Sequence, residues 1–277
     1  MTVIRDAAWV QREYGRDKWP AIRARIAALL STGERSLARV AATLSREEFG
    51  TPGIESMAAT LQGRRVDVPA ALMWHGFYAL VAELVIAACR PETDGVVDLG
   101  AGWGRSLFDV WLRGGPRGAR YCALEYTDAG LECAASLGAL EPAMPLLTAH
   151  FDFTHPDFGP LPQQMRHAVL FSVSSAHQIP RFDVDAYRAL AGVADSVDCL
   201  HFEQIGWQMR DVIGQGDRRG SGPEPAVRHD YNTNLWSVVS TLVDSGEVAL
   251  VDAQAELAGT SPDYSMSFVW WRASRRA

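Results

Sequence analysis

Apolar residues in the first part of the chain recur at helical spacing. Ile22, Ile26, Leu29 and Leu30 share one face, with Arg23 and Arg25 set elsewhere, and Leu37, Val40, Leu44 and Phe49 repeat the stripe over Ser36 to Phe49. A period of three to four residues predicts amphipathic helices. Gly50-Thr-Pro-Gly53 interrupts the pattern. Residues 1 to about 65 are therefore expected to form a peripheral helical cap. Pro69 to Cys89 reads as a long apolar helix, with proline in its first turn and a stop at Arg90-Pro91.

Beyond residue 90 short apolar runs alternate with amphipathic segments. Strands are expected at Gly95–Leu99, Ala119–Leu124, Met144–Ala149, His167–Val173, Val197–Phe202, Val248–Ala253 and Ser265–Trp271. Helices are expected at Gly104–Arg113, Asp128–Leu137, Val184–Ala194 and Asn232–Ser245. This alternation predicts an α/β fold with a doubly wound parallel sheet over residues 66–277. Gly214 to Pro225 carries four glycines and two prolines in twelve residues, too many for a helix or a central strand. The segment follows a strand's C-terminal end, where such sheets bind ligands. Residues 205–230 are accordingly expected to act as a mobile lid loop.

Candidate chemistry concentrates after the first strand, in Val96-Val97-Asp98-Leu99-Gly100-Ala101-Gly102-Trp103-Gly104-Arg105. Glycines at alternate positions let the backbone adopt positive φ and approach a ligand closely, and the helix start that follows offers unpaired N–H groups. A dinucleotide fingerprint requires G-x-G-x-x-G/A; here the third glycine comes one residue early and Arg105 occupies the last small position. No Gly-Lys-Ser/Thr follows, which excludes a P-loop. At the next strand end stands Glu125, 25 residues beyond Gly100, where a carboxylate accepts hydrogen bonds from ribose hydroxyls.

Asp98-Leu-Gly-Ala-Gly-Trp-Gly104 resembles motif I, (D/E)-x-G-x-G-x-G, of the class I S-adenosylmethionine (SAM)-dependent methyltransferases. The resemblance covers about residues 70 to 272 and implies a seven-stranded Rossmann-like sheet whose last strand inserts antiparallel, with SAM as cofactor. It implies cofactor roles for Asp98, Gly100, Gly102 and Gly104, ribose binding by Glu125, and adenine binding by Asp152 with Phe153. His75 lies on the helix that often touches the cofactor's methionine end, although a lone His on an apolar helix is more commonly a packed polar residue. Arg105 suits either the cofactor carboxylate or a helix surface.

The acceptor side is less legible. His177, in the loop after the fourth strand, is a candidate base. The (N/D)-P-P-(Y/F) motif of many amine methyltransferases is absent there, which disfavours nucleic-acid amines. His201 and Glu203 share one strand face, and Glu203 with Trp207 suggests a cationic amine acceptor. Tyr231 and His229 are candidate pocket residues; Asp230 or Asn232 is the expected helix cap. The stretches Phe202-Glu203-Gln-Ile-Gly-Trp and Tyr231-Asn-Thr-Asn look similar to small methyltransferases of bacterial natural-product pathways. The expected reaction is methyl transfer to an amine, including a peptide terminus, of a small molecule or natural-product precursor. The alternatives are O-methylation of a metabolite, a NAD-dependent oxidoreductase, and a non-catalytic SAM-binding partner subunit.

Composition narrows the partners. The 277 residues are 48% hydrophobic and 21% charged, with net charge −7, which argues against a nucleic-acid backbone as main partner. No apolar run reaches the length of a membrane span, and the first residues lack a signal-peptide core. Four scattered cysteines suit buried thiols in a reducing cytoplasm. His150, Asp152, His155, His201 and Glu203 show no recognised ligand spacing, and no metal is expected. Oligomeric state is not legible.

Overall fold

The computed structural model describes residues 5–48, 55–162, 164–213, 223–259 and 265–274. An N-terminal helical run comprises α1 (Ala7–Val10), a π-helical stretch (Gln11–Lys18) and α2 (Trp19–Ser31), followed by α3 (Leu37–Glu48). A hairpin, β1 (Ser56–Leu61) and β2 (Arg64–Pro69), leads into α4 (Ala70–Ala88). The chain then alternates through β3 (Thr93–Leu99), α5 (Arg105–Leu112), β4 (Arg120–Glu125), α6 (Asp128–Gly138), β5 (Leu146–His150) and β6 (Met165–Val173). After a 3₁₀ turn (Ala176–Gln178) come α7 (Val184–Ala191), β7 (Ala194–Glu203), α8 (Gly206–Ile213), α9 (Pro223–His229), α10 (Leu235–Asp244), β8 (Ala249–Gly259) and β9 (Ser265–Ser274).

Consecutive residues of the central strands are buried on opposite sides of the sheet, which is why the runs are continuously apolar. Val96 of β3 and Val169 and Phe171 of β6 pack in one core with Leu44, Val85, Phe108 and Leu137. Val97 and Leu99 of β3 and Leu170 of β6 pack in the other, with Leu190, Leu235 and Val239. The strand order is β2-β1-β8-β9-β7-β6-β3-β4-β5. β3 pairs in parallel with both β4 and β6, and β9 lies antiparallel between β7 and β8. The expected seven strands are present in the expected order, with the last inserted antiparallel. The chain reverses direction across the sheet between β5 and β6, so a crevice opens at the C-terminal end of β3.

The hairpin corrects the expectation that residues up to about 65 are helical. Gln62 and Gly63 both take positive φ, a two-residue turn whose twist suits paired strands. Val66 and Val68 alternate with exposed residues and pack with Ala59, Met73 and Ala258. β1 joins the sheet edge through Thr60 and Leu61 against β8, so the sheet has nine strands among the described residues. Of the expected lid, residues 206–213 and 223–229 are helical and the intervening glycine-rich segment lies outside the described residues. Among the described residues no helix is long and apolar enough to cross a membrane.

A buried polar knot ties β7 to its neighbours. Asp198 Oδ2 meets His167 Nε2 at 2.9 Å and accepts from Arg90 at 2.7 Å; Oδ1 accepts from Trp270 Nε1 at 2.6 Å and Arg272 Nε at 2.9 Å. Burial pushes this carboxyl up, but His167, Trp270 and Arg272 outweigh it and hold it below the usual range. Its contribution to stability is therefore present at neutral pH and lost as pH falls through that lowered value. Asp198→Asn, which leaves the half-buried Arg90 and the partly exposed Arg272 without their counter-charge, is expected to cost about 2 kcal/mol, read as a lower urea midpoint at pH 7 with an unchanged m-value.

Candidate active site

Loops leaving the C-terminal ends of β3, β4, β5, β6 and β7 converge on a cavity of about 470 Å³. The glycine turn after β3 forms its floor. Gly100, Gly102 and Gly104 have φ of +78°, +55° and +87°, the left-handed region that only glycine adopts at little cost. The N–H groups of Gly100 and Ala101 donate to the carbonyl of Leu124, at 2.7 and 2.9 Å. A Cβ on Gly100 would lie 2.5 Å from that of Ser175, and one on Gly102 would lie 2.7 Å from the ring of Trp19. Gly100 and Gly102 line the cavity. Gly104 instead starts α5 as its left-handed cap residue.

Glu125 stands where the sequence suggests. Its Oε2 accepts from Gly102 N–H at 2.9 Å, and its Oε1 accepts from the N–H and hydroxyl of Thr127 at 3.1 and 2.8 Å. The side chain is buried against the cavity, and burial raises its carboxyl above the ordinary value despite those donors. Asp152 and Phe153 also line the cavity. Asp152 Oδ1 accepts from Thr154 N–H and hydroxyl at 2.7 and 2.6 Å, so one oxygen shapes the loop. The Phe153 ring packs edge-on to Phe151 and Phe182 and would sit 3.5 Å from a Gly100 Cβ.

Besides Gly104, two expected cofactor contacts lie elsewhere. Asp98 is buried behind the turn and accepts the N–H of Leu107, pinning α5; burial, reinforced by Glu125 and Glu203, pushes its carboxyl well up. It supports the turn and does not line the cavity. His75 is exposed and is also not at the cavity; Tyr78, on the same helix, is. Arg105 is buried at the cavity wall rather than on a helix surface, its guanidinium 3.5 Å from the centre of the Tyr78 ring.

After β6 the chain wraps around Glu203. Glu203 Oε1 accepts from Ser172 Oγ at 2.6 Å, Ala176 N–H at 3.0 Å and Ser175 N–H at 3.3 Å. Oε2 accepts from His177 N–H at 3.1 Å and lies 2.7 Å from His177 Nδ1. Burial pushes this carboxyl up, yet His177 and Ser172 bring it below the usual range. An ionised Glu203 orients the imidazole with its proton on Nδ1 and leaves Nε2 as the basic nitrogen. His177 lines the cavity, and Tyr231 meets its ring edge-on at 4.6 Å.

Glu203 and His201 therefore correct the expectation that they contact an acceptor. Both are fully buried and neither reaches the cavity. They do share one face: Ser172 Oγ bridges them, 2.9 Å from His201 Nδ1. His201 Nε2 accepts from Trp271 Nε1 at 3.2 Å. Trp207 also lies off the cavity. Asn232 is the effective cap of α10, its Oδ1 accepting from Asn234 and Leu235 N–H at 2.9 and 2.6 Å. Asp230 instead accepts from the Arg5 N–H. Among the described residues no group of three or more His, Cys, Asp or Glu is placed to hold a metal.

Sequence reasoning missed the N-terminal contribution. Arg5, Tyr14, Lys18, Trp19 and Glu48 all line the cavity. Lys18 pairs with Glu48 at 2.9 Å, and Glu48 accepts from Trp103 Nε1 at 3.2 Å. Arg5 donates to the His229 carbonyl and to Gln178, and its guanidinium lies over Trp9 and Tyr231 at 4.0 and 4.6 Å. The available signal was the aromatic run Trp9, Tyr14 and Trp19 in an otherwise polar stretch.

No family model and no curated protein matches the chain. Among solved structures it is similar to the CurJ carbon methyltransferase, at 11% identity and TM-score 0.47 over 96% of this chain and 69% of that one. It is also similar to magnesium protoporphyrin IX methyltransferase from Synechocystis PCC 6803 with bound SAH, at 12% identity and TM-score 0.47 over 76% and 90%. A third is the N-terminal domain of EvdMO1 with SAH and D-fucose, at 15% identity and TM-score 0.45 over 72% and 83%. The match spans 40% of the chain in a further EvdMO1 structure.

The burial of His201 has a measurable consequence. Desolvation lowers it from 6.5 to about 4, against the opposing charge of Glu203. Between those values the unfolded chain binds a proton at this position and the folded chain does not, so stability rises with pH across that window. His201→Asn is expected to flatten the dependence of urea-unfolding stability between pH 6.5 and 4 by up to about 1.4 kcal/mol per pH unit; an unchanged slope would place His201 in contact with water.

Proposed function

We propose that the protein binds SAM in this cavity and transfers its methyl group to a small molecule. The observation that supports the reading most directly is the link between the glycine turn and Glu125: one carboxylate, at the end of the neighbouring strand, accepts the Gly102 N–H. A ligand laid across that link would meet a glycine floor on one side and a ribose-binding acid on the other. The residues present fit the parts of the cofactor. Gly100 and Gly102 give close backbone approach, Glu125 serves the ribose, and Asp152 with Phe153 serves the adenine. Arg105 and Lys18, which border the turn, serve the carboxylate.

When bound, SAM supplies an electrophilic methyl group on a sulfonium. The protein's own task is to position the acceptor, exclude water and remove a proton. The N-terminal segment limits access of water, with Trp19 over Gly102 and Arg5 across to His229 and Gln178. His177 is the proton acceptor at the cavity wall, and Glu203 behind it holds the imidazole by its Nδ1. Arg105 opposes the oxidoreductase reading: it stands buried at the start of α5, where a dinucleotide site needs a small residue for helix–strand packing. A binding-only subunit would have no use for a base at the cavity.

Isothermal titration tests the cofactor. Micromolar binding of SAM and S-adenosylhomocysteine is expected, with none of NADH. Glu125→Gln is expected to weaken binding at least tenfold, as loss of a charge-assisted hydrogen bond costs about 1.5–3 kcal/mol. Gly102→Val, which places side-chain atoms against Trp19 at a positive φ, is expected to abolish binding. Absence of SAM binding by the folded wild type would overturn the proposal.

A further inference from the structure

We infer that the methyl acceptor is a hydroxyl oxygen on an uncharged small molecule, that His177 takes its proton, and that Gln204 reads a second hydrogen-bond donor on it. This rests on the SAM reading above. A neutral amine attacks with a lone pair it already has, and its proton can leave afterwards. A hydroxyl is a poor nucleophile until its proton is being removed, and a positioned base contributes on the order of 10²–10⁴-fold there. The chain builds such a base: four hydrogen bonds fix Glu203, and Glu203 fixes Nδ1 of His177.

The charges around His177 disfavour a cationic acceptor. Glu203 faces it from β7, but its oxygens are occupied by protein donors and it does not reach the cavity. Tyr231 faces it from the segment before α10, with His229 stacked behind at 5.4 Å. From the N-terminal segment, the Arg5 guanidinium lies over that same Tyr231 ring. Asp6 reaches the cavity as the cap of α1, accepting the Trp9 N–H at 2.8 Å. Asp230 accepts the Arg5 N–H at 3.0 Å, so each carboxylate of this group already serves a protein donor and none is set aside for an ammonium. The adjoining wall is apolar, with Val173, Ile179 and Pro180.

Gln204 supplies the second contact. It lines the cavity immediately after Glu203; its Oε1 has no donor among the described residues and is shut off from water, so a ligand donor reaches it once the amide turns towards the cavity. A buried carbonyl oxygen of this kind favours a ligand that brings a donor and rejects one that does not.

In the step itself the acceptor O–H bond breaks towards His177 Nε2, giving an imidazolium opposite Glu203. The oxygen lone pair forms the new O–CH₃ bond as the S–CH₃ bond of the sulfonium donor breaks. The bonding pair stays on sulfur as a neutral thioether, and the imidazolium later releases its proton to water.

The test uses the full-length wild type, His177→Gln, Glu203→Gln and Gln204→Leu, each first checked by calorimetry for SAM binding. Methyl transfer is assayed with matched probes: naphthol and naphthylamine, resorcinol and phenylenediamine, and nitrophenol, which ionises near neutral pH. The phenols are expected to be methylated on oxygen at least tenfold faster than their amine partners. His177→Gln is expected to lower kcat on the neutral phenols on the order of 10²-fold with little change in KM, but to lose less than tenfold on ionised nitrophenol, which needs no base. Glu203→Gln is expected to follow it, lowering kcat on the neutral phenols with little change in KM and losing less on ionised nitrophenol. Gln204→Leu is expected to raise KM for resorcinol and leave that for naphthol unchanged. If Glu203→Gln fails to fold, His177→Gln carries the test of the base. Faster methylation of the amines, an equal loss on ionised nitrophenol, or no turnover of any phenol by a SAM-binding protein would overturn the inference. Failure to bind SAM would overturn the reading beneath it.

Discussion

Glu203 is a carboxylate removed from water at the end of β7, and the loop after β6 is folded around it. An ion in that position is tolerable only when its lone pairs are met by donors. Here the Ser175, Ala176 and His177 N–H groups, the Ser172 hydroxyl and the His177 ring do so. Satisfying the charge therefore determines the path of the backbone over residues 172–177. Ser174 takes positive φ in that path, a strain that the surrounding hydrogen bonds sustain. The same bonds present His177 to the cavity, and through Ser172 they lock His201 into the sheet. A structural requirement and a chemical one are met by one group.

The glycine turn follows a similar logic on the opposite side of the cavity. Gly102 donates to Glu125, which is also held by Thr127, the cap of α6. The turn after β3, the end of β4 and the start of α6 are consequently tied together through one carboxylate. Against this unit the N-terminal helix lays Trp19, close enough that a Cβ on Gly102 would collide with it. Arg5 completes the arrangement by bridging the start of the chain to the segments at Gln178 and His229. The helical cap thus forms one wall of the site as well as packing on α5 and α6.

The alternation of strands and helices from β3 onward was legible because it depends on short-range periodicity: continuous apolar runs such as Val96–Leu99 have to be buried on both faces, and stripes such as Leu107, Val110 and Trp111 have to face a core. The hairpin Ser56–Pro69 was not legible. Its strands are only six residues long, β2 opens on Arg64-Arg65, and β1 is anchored to β8 by two residues, so its stability comes from neighbours distant in sequence. Glu203 and His201 show the same limit from another direction. Their common face followed from the two-residue repeat of a strand, whereas what that face packs against did not.

By itself the sequence determined the position and conformation of the glycine turn, the acid at the next strand end and the order of the sheet elements. Each depends on a few consecutive residues: the absence of a Cβ, a strand's period, a proline or a cap. Only the tertiary structure decided that Glu203 lies behind His177 rather than beside a substrate, that His75 faces outward, and that Lys18, Trp19 and Arg5 share the cavity with residues about a hundred or more positions away. Those outcomes depend on which groups lose water together on packing, and no local pattern along the chain encodes that.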